Sequence, residues 1–177
     1  DKDDELHQLV MQCVQYSNNL YQGTIEDQQK ASGFFYDWIQ HPKAFIICLE
    51  ILEHFDDLYS NYTALNVINS LVTYNWINID PHSREKLKDI LYQILQSDRN
   101  SLINDMCSKL ISRVAIHEFP EYWEDFLIDS LTRGNSLVLI YYLENLEDNP
   151  NISQNKKILI HKIFISYFDL IKDAIFS

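Results

Sequence analysis

Apolar residues recur along this chain at helical spacing, in stretches separated by short polar breaks. Leu6, Leu9, Val10, Cys13, Val14 and Leu20 define one face of a helix predicted over about 4–21, and Gly23 ends it. Thr24 is the expected N-cap of a second helix reaching about Ile39, with Asp27 three residues on as its capping-box partner. Its apolar side is Ala31, Phe34, Phe35 and Trp38. Pro42 is the expected first-turn residue of a third helix, with Ala44, Phe45, Cys48, Leu49, Leu52 and Phe55 as its stripe. A fourth helix runs from roughly Asn61 to Trp76 around Leu65, Ile68, Leu71 and Val72.

The same alternation continues. Asp80 caps and Pro81 opens a fifth helix built on Leu87, Ile90, Leu91, Ile94 and Leu95. Asp98 or Asn100 caps a sixth, which passes through Ile103, Met106, Cys107, Leu110 and Val114 to about His117. Pro120 opens a seventh with Trp123, Phe126, Leu127 and Leu131, and Gly134 and Asn135 break it. Leu137, Leu139, Ile140, Leu143 and Leu146 belong to an eighth. After the loop-like residues Asp148 to Asn151, Ser153 starts a ninth that runs to the end.

These stretches group as four pairs plus one helix, and prolines mark the restarts at His41-Pro42, Asp80-Pro81 and Phe119-Pro120. A repeat of about 40 residues lies in the HEAT and armadillo range. The expected fold is therefore all-α, with antiparallel helical hairpins stacked into a right-handed superhelical solenoid. Such stacks leave a long surface open to a partner. An up-down bundle shares the local periodicity and remains the alternative, recognisable by a last helix packed on the first.

Composition narrows the classes. Three glycines and four prolines in 177 residues are too few for a sheet fold rich in tight turns. A net charge of −12 disfavours direct binding to nucleic acid or to an anionic membrane and suits a partner with a basic surface. No apolar run reaches the length of a membrane span. Cys13, Cys48 and Cys107 are unpatterned and sit in apolar stretches, as buried reduced thiols do. The chain starts at Asp1 and ends at Ser177 after the stretch Ile171 to Phe176, without a helix stop signal, so it reads as part of a longer protein.

Catalytic patterns are sparse. The six histidines show no helical zinc-ligand spacing, and there is no glycine-rich phosphate loop or nucleophile elbow. Glu50 and His54 share a helix face and read as a surface ion pair. His117-Glu118 falls at a helix end, where a histidine serves the terminal carbonyls. Asp56-Asp57 and the acids Glu144, Glu147 and Asp148 lack an EF-hand spacing and read as solvated faces. The expectation is a protein without catalytic residues, metal or cofactor.

Two segments are more specific. Asn61-Tyr62-Thr63-Ala64-Leu65, continuing to Tyr74-Asn75-Trp76, resembles the second helix of the second repeat in the importin-β superfamily of nuclear transport receptors, the β-karyopherins. That helix begins with Tyr, a small residue and Leu, and ends in Trp. Phe119-Pro120-Glu121-Tyr122-Trp123-Glu124-Asp125-Phe126 resembles the exportin-type aromatic-Pro-x-x-Trp-x-x-Phe signature that opens the fourth repeat. His41-Pro42-x-Ala44-Phe45 matches the family's first break. The signature residues are Tyr62, Leu65, Trp76, Pro120, Trp123 and Phe126, and the resemblance covers about residues 3–147. It leans towards the exportin and importin-13-like branch. Three positions depart from the pattern: Asn75 stands where a basic residue is usual, Asn69-Ser70 replaces Glu-Asn, and Phe119 replaces Trp.

The resemblance implies an N-terminal HEAT-repeat segment of a longer receptor. Residues about 1–96 would be importin-β N-terminal-like and about 97–177 exportin-type. It implies partners: Ran GTPase in its GTP form, a protein or RNA-containing cargo, and nucleoporins. It implies shuttling between nucleus and cytoplasm, with no direct membrane binding and no sequence-specific DNA binding. The second helix of each pair would line the concave, Ran-binding side, presenting Gln28, Gln29 and Ser32, then Asn66, Asn69 and Thr73, then Asp105, Ser108 and Ser112. A HEAT or armadillo scaffold unrelated to Ran is the alternative. A helical enzyme or lipid carrier is a third class, and it would show a buried polar pocket.

Overall fold

The computed structural model describes residues 2–176, with side chains described to residue 173. Asp1, Ser177 and the side chains of the terminal apolar residues Ile175 and Phe176 lie outside that set. The described residues form α1 (Lys2–Gln22), α2 (Ile25–Trp38), α3 (Ala44–His54), α4 (Leu58–Asn75), α5 (Pro81–Ser97), α6 (Ser101–Glu118), α7 (Phe126–Thr132), α8 (Ser136–Asp148) and α9 (Gln154–Phe176). A single 3-10 turn, Trp76–Asn78, follows α4. No strand occurs among the described residues.

Local chemistry accounts for most helix starts. Thr24 Oγ1 accepts from the Asp27 amide at 3.2 Å while the Asp27 carboxylate accepts from the Thr24 amide, which is a complete capping box. Asp80 accepts from the Ser83 amide at 2.9 Å, and Pro81 occupies the first turn. Asn100, not Asp98, caps α6, accepting from the Leu102 amide at 2.9 Å. Asp98 closes α5 in the left-handed region at φ 49°. Its carboxylate accepts from the Asn104 side chain.

Three expected starts move. Pro42 sits in the turn before α3, two residues short of Ala44, because residues 39–43 make their own turn with the Lys43 amide on His41 Nδ1. The fourth helix starts three residues earlier than the apolar stripe suggests, because Asp57 caps it through the Ser60 amide. Pro120 opens no helix. The amides of Tyr122 and Trp123 both bond to Glu118 O, so the chain doubles back, and α7 begins only at Phe126.

Neighbouring hairpins stack. α3 packs on α4, α5 on α6 and α7 on α8. Between hairpins, α3 packs on α5, while α4, α6 and α8 form a continuous second layer. Tyr92 of α5 reaches Ser130 of α7 through its hydroxyl at 3.1 Å. The first hairpin differs: α2 packs chiefly on α1, and α1 rather than α2 contacts both α3 and α4. At the far end α9 joins through Phe164, which stacks on Tyr142 with centroids 5.7 Å apart and meets Phe119 edge-on. Among the described residues α9 makes no extensive contact with α1, so the fold is an open helical solenoid and not a closed bundle.

The aromatic signatures act as inter-hairpin anchors. Trp76 is buried, stacks on His117 at 5.4 Å and lies under the Arg84 guanidinium at 4.8 Å. Trp123 is buried under the Lys88 ammonium at 4.7 Å and donates to Asp129 at 3.0 Å. Lys88 and Glu118 are both 5% exposed and pair at 2.8 Å, tying α5 to the end of α6 beneath that tryptophan. Leu65 and Phe126 are core residues, while Tyr62 is half-buried with its edge against Tyr21.

Candidate partner-binding face

The α4–α6–α8 layer presents one continuous polar surface, and its sequence makes that surface unusual. α4 carries no charged residue in 18 positions. Leu65, Ile68 and Val72 face the core, leaving Asn66 and Thr73 exposed and Asn69 half-buried at the α6 side. Thr73 bonds its hydroxyl back to Asn69 O at 2.7 Å.

On α6, Asp105, Lys109 and Arg113 recur every fourth residue and form the outward stripe. Asp105 pairs with Lys109 at 2.8 Å and accepts from the Tyr141 hydroxyl of α8. Those two hydrogen bonds hold its carboxyl below the usual range. Arg113 donates to the Asn69 side-chain oxygen, joining α6 to α4. His117 bonds through Nε2 to Val72 O at 2.8 Å, so it serves the carbonyls of α4 and not those of its own helix. Burial of the ring lowers its pKa, outweighing that bond.

Ser108 and Ser112 correct the expected surface. Both are fully buried in the α6–α8 contact, the most extensive between helices here. Ser108 donates to Asn104 O at 3.0 Å. Ser112 donates to Lys109 O at 2.6 Å and accepts from Asn145 at 3.0 Å. Small side chains that bond to their own helix let α8 approach closely, so their polarity did not mark an outward face. Gln28, Gln29 and Ser32 are exposed, but they stand on α2, which the α1–α4 packing leaves outside the continuous layer. Sequence reasoning had missed Arg113, Tyr141 and Asn145, although the spacing of 105, 109 and 113 is readable.

Where α4, α6 and α8 end, the loop after α8 folds beside them. It borders an open groove of about 940 Å³ lined by Asn69 and Tyr74, by Arg113 and Ile116, and by Asn145 and Ile152, with the exposed Asp148 as its one carboxylate among the described residues. Elsewhere, the Glu50, Glu53 and His54 cluster holds its own cation. Lys86 reaches Glu50 at 2.8 Å and Glu53 at 2.9 Å, and His54 pairs with Glu50 at 3.3 Å. All three thiols are buried and free, and burial pushes Cys13 and Cys107 up to about 12 and Cys48 also upward. Each is a protonated core side chain at neutral pH. Among the described residues no helix is long and apolar enough to cross a membrane.

No protein-family model matches the chain. It is 25% identical over 147 residues to Exportin-1 of Schizosaccharomyces pombe, a stretch that takes in 73% of this chain and 14% of that protein. The chain thus spans a small part of the length of the curated relative it matches. The helical solenoid is compatible with this likeness, which supports an exportin-like relationship and singles out no branch.

Proposed function

We propose that this chain is a non-catalytic segment of a nuclear transport receptor whose α4–α6–α8 layer binds the GTP form of Ran. The observation that carries the reading is the likeness to Exportin-1. The fold supports it, because the tryptophans of both family-like signatures anchor one hairpin to the next. Asn66, Asn69 and Thr73 of α4 and Asp105 of α6 are the residues assigned to the contact, with Gln28, Gln29 and Ser32 of α2 at its margin. Ser108 and Ser112 support it from within.

Ran and cargo binding would be linked, each ligand biasing the curvature of the solenoid and so changing affinity for the other. Coupling is positive for an exportin and negative for an importin. The charge of −12 favours encounter with basic patches on the partners. Protein or RNA-containing cargo, nucleoporins and shuttling between nucleus and cytoplasm complete the reading, with no direct membrane or sequence-specific DNA binding.

One observation favours a second reading, a HEAT-type scaffold indifferent to Ran: Asn69-Ser70 stands where the family carries Glu-Asn, on α4, the first helix of the layer. Binding of the chain to Ran loaded with a non-hydrolysable GTP analogue, compared with Ran·GDP, separates the two. Preference for the GTP form supports the receptor. Equal or absent binding, by a folded chain and by a longer form of the protein, supports the scaffold.

A further inference from the structure

Seven of the fourteen lysines and arginines pair with a carboxylate among the described residues. Lys30 pairs with Glu26, Lys43 with Glu5, Lys86 with Glu50 and Glu53, Lys88 with Glu118, Lys109 with Asp105, Lys156 with Glu121, and Arg133 with Asp89. Arg84 and Arg99 are spent on backbone carbonyls at the hairpin junctions. Lys2, Lys157, Lys162 and Lys172 also lack a carboxylate partner among the described residues, and Arg113 differs from them in lining the groove. It is half-buried on the groove floor, its hydrogen bond goes to the neutral Asn69 amide, and no carboxylate pairs with it among the described residues. A guanidinium carries five donors in a fork that matches a carboxylate, so one neutral acceptor leaves most of that capacity unused.

The groove around it has the other parts of a peptide site. Tyr74 stands 88% exposed at its rim, and Ile116 and Ile152 add apolar wall. Arginine and tyrosine are the side chains that dominate binding hot spots. Asn145 gives its amide nitrogen to Ser112 and keeps its carbonyl as an acceptor, while Asn69 gives its carbonyl to Arg113 and keeps its amide as a donor. Two carboxamides so arranged can meet the N–H and C=O of an extended backbone. The chain's negative charge argues against a nucleic-acid strand as the occupant.

We propose that this groove binds an extended segment of a partner protein, seating one acidic side chain on Arg113 and an apolar neighbour against Ile116 and Ile152. The inference rests on the reading of the α4–α6–α8 layer as a partner face, but not on that partner being Ran. It makes an acidic side chain the register mark in a partner that the whole-molecule charge selects to be basic.

The test is selection of a phage-displayed random-peptide library on the 177-residue chain, followed by affinity measurements on the enriched peptides. The expected result is a consensus with an Asp or Glu beside an apolar residue. Affinity should drop about ten- to a hundredfold for Arg113→Gln, by the worth of a charged hydrogen-bonded contact. Arg113→Lys should retain part of it, and Tyr74→Ala, which alters an exposed side chain, should weaken binding without touching the fold. Helical circular dichroism of each variant guards against misfolding. No enrichment, a basic or purely apolar consensus, or equal binding by Arg113→Gln and wild type would overturn the proposal. A chain that prefers Ran·GTP but selects no acidic peptide keeps the receptor reading and loses the groove. One that ignores Ran yet selects Arg113-dependent acidic peptides does the reverse.

Discussion

The first hairpin and the three that follow are built from similar local signals and packed by different rules. From α3 to α8 each hairpin gives one helix to each layer, and residues such as Leu65, Leu91, Ile111 and Phe126 are buried on both sides. In the first hairpin α1 takes the stacking position against α3 and α4, and α2 buries only Ala31 and Trp38. Amphipathic periodicity says that a helix has a neighbour, but not which one. A helix at the end of a stack has one flank where an internal helix has two, so its burial and local stability fall.

The comparison can be broken most forcefully at Lys88. Replacing it with Met strands Glu118 as a buried charge within the third hairpin, beneath Trp123, a loss of about 3–5 kcal/mol in global stability. Lys88→Met with Glu118→Leu together should recover much of it. Urea unfolding of the four members of the cycle checks this, and additivity of the two single changes would sink the pair.

Cap removal sharpens the contrast at smaller cost. Asn100→Ala should lower global stability by about 1 kcal/mol, because α6 packs on α4, α5 and α8. Thr24→Ala removes a comparable cap from α2, yet its effect should appear chiefly as faster amide exchange within residues 25–38 while the global midpoint barely moves. A full global loss for Thr24→Ala would mean that α2 unfolds with the rest.

His117 joins the second hairpin to the third through Val72 O and Trp76. Its folded pKa lies below the ordinary value because of burial, so the unfolded chain takes up the proton first. The stabilisation is whole above about pH 6.5 and declines as pH falls through the folded pKa. Thermal melts from neutral to mildly acidic pH should show a shallower decline for His117→Gln than for wild type, and identical slopes would contradict the assignment.

Much of this fold was legible because caps are local. Thr24 with Asp27 and Asp80 with Pro81 announce their helices within four residues. The prolines at 42 and 120 misled because a proline fits a turn as well as a first helical turn, and the amides of residues 119–126 settle the matter only in three dimensions. On the candidate face, Asn66 and Thr73 were readable from helical phase. Ser108 and Ser112 were not, since a serine that bonds its own helix behaves as a small core residue. The importance of Arg113 depends on which cations find carboxylates elsewhere, a property of the whole packed chain.

The account's central claim is that the α4–α6–α8 layer is the partner face. Hydroxyl-radical footprinting of the chain, free and with Ran carrying a non-hydrolysable GTP analogue, tests it most directly, because Tyr74, Tyr36 and Tyr122 are 88%, 84% and 81% exposed and report from different surfaces. Shielding of Tyr74 and Tyr141, with Tyr122 still oxidised at the free rate and Tyr36, on the α2 face of Gln29 and Ser32, shielded less than Tyr74, is the predicted result. Shielding confined to Tyr36 or Tyr122, or no change at Tyr74, would contradict it.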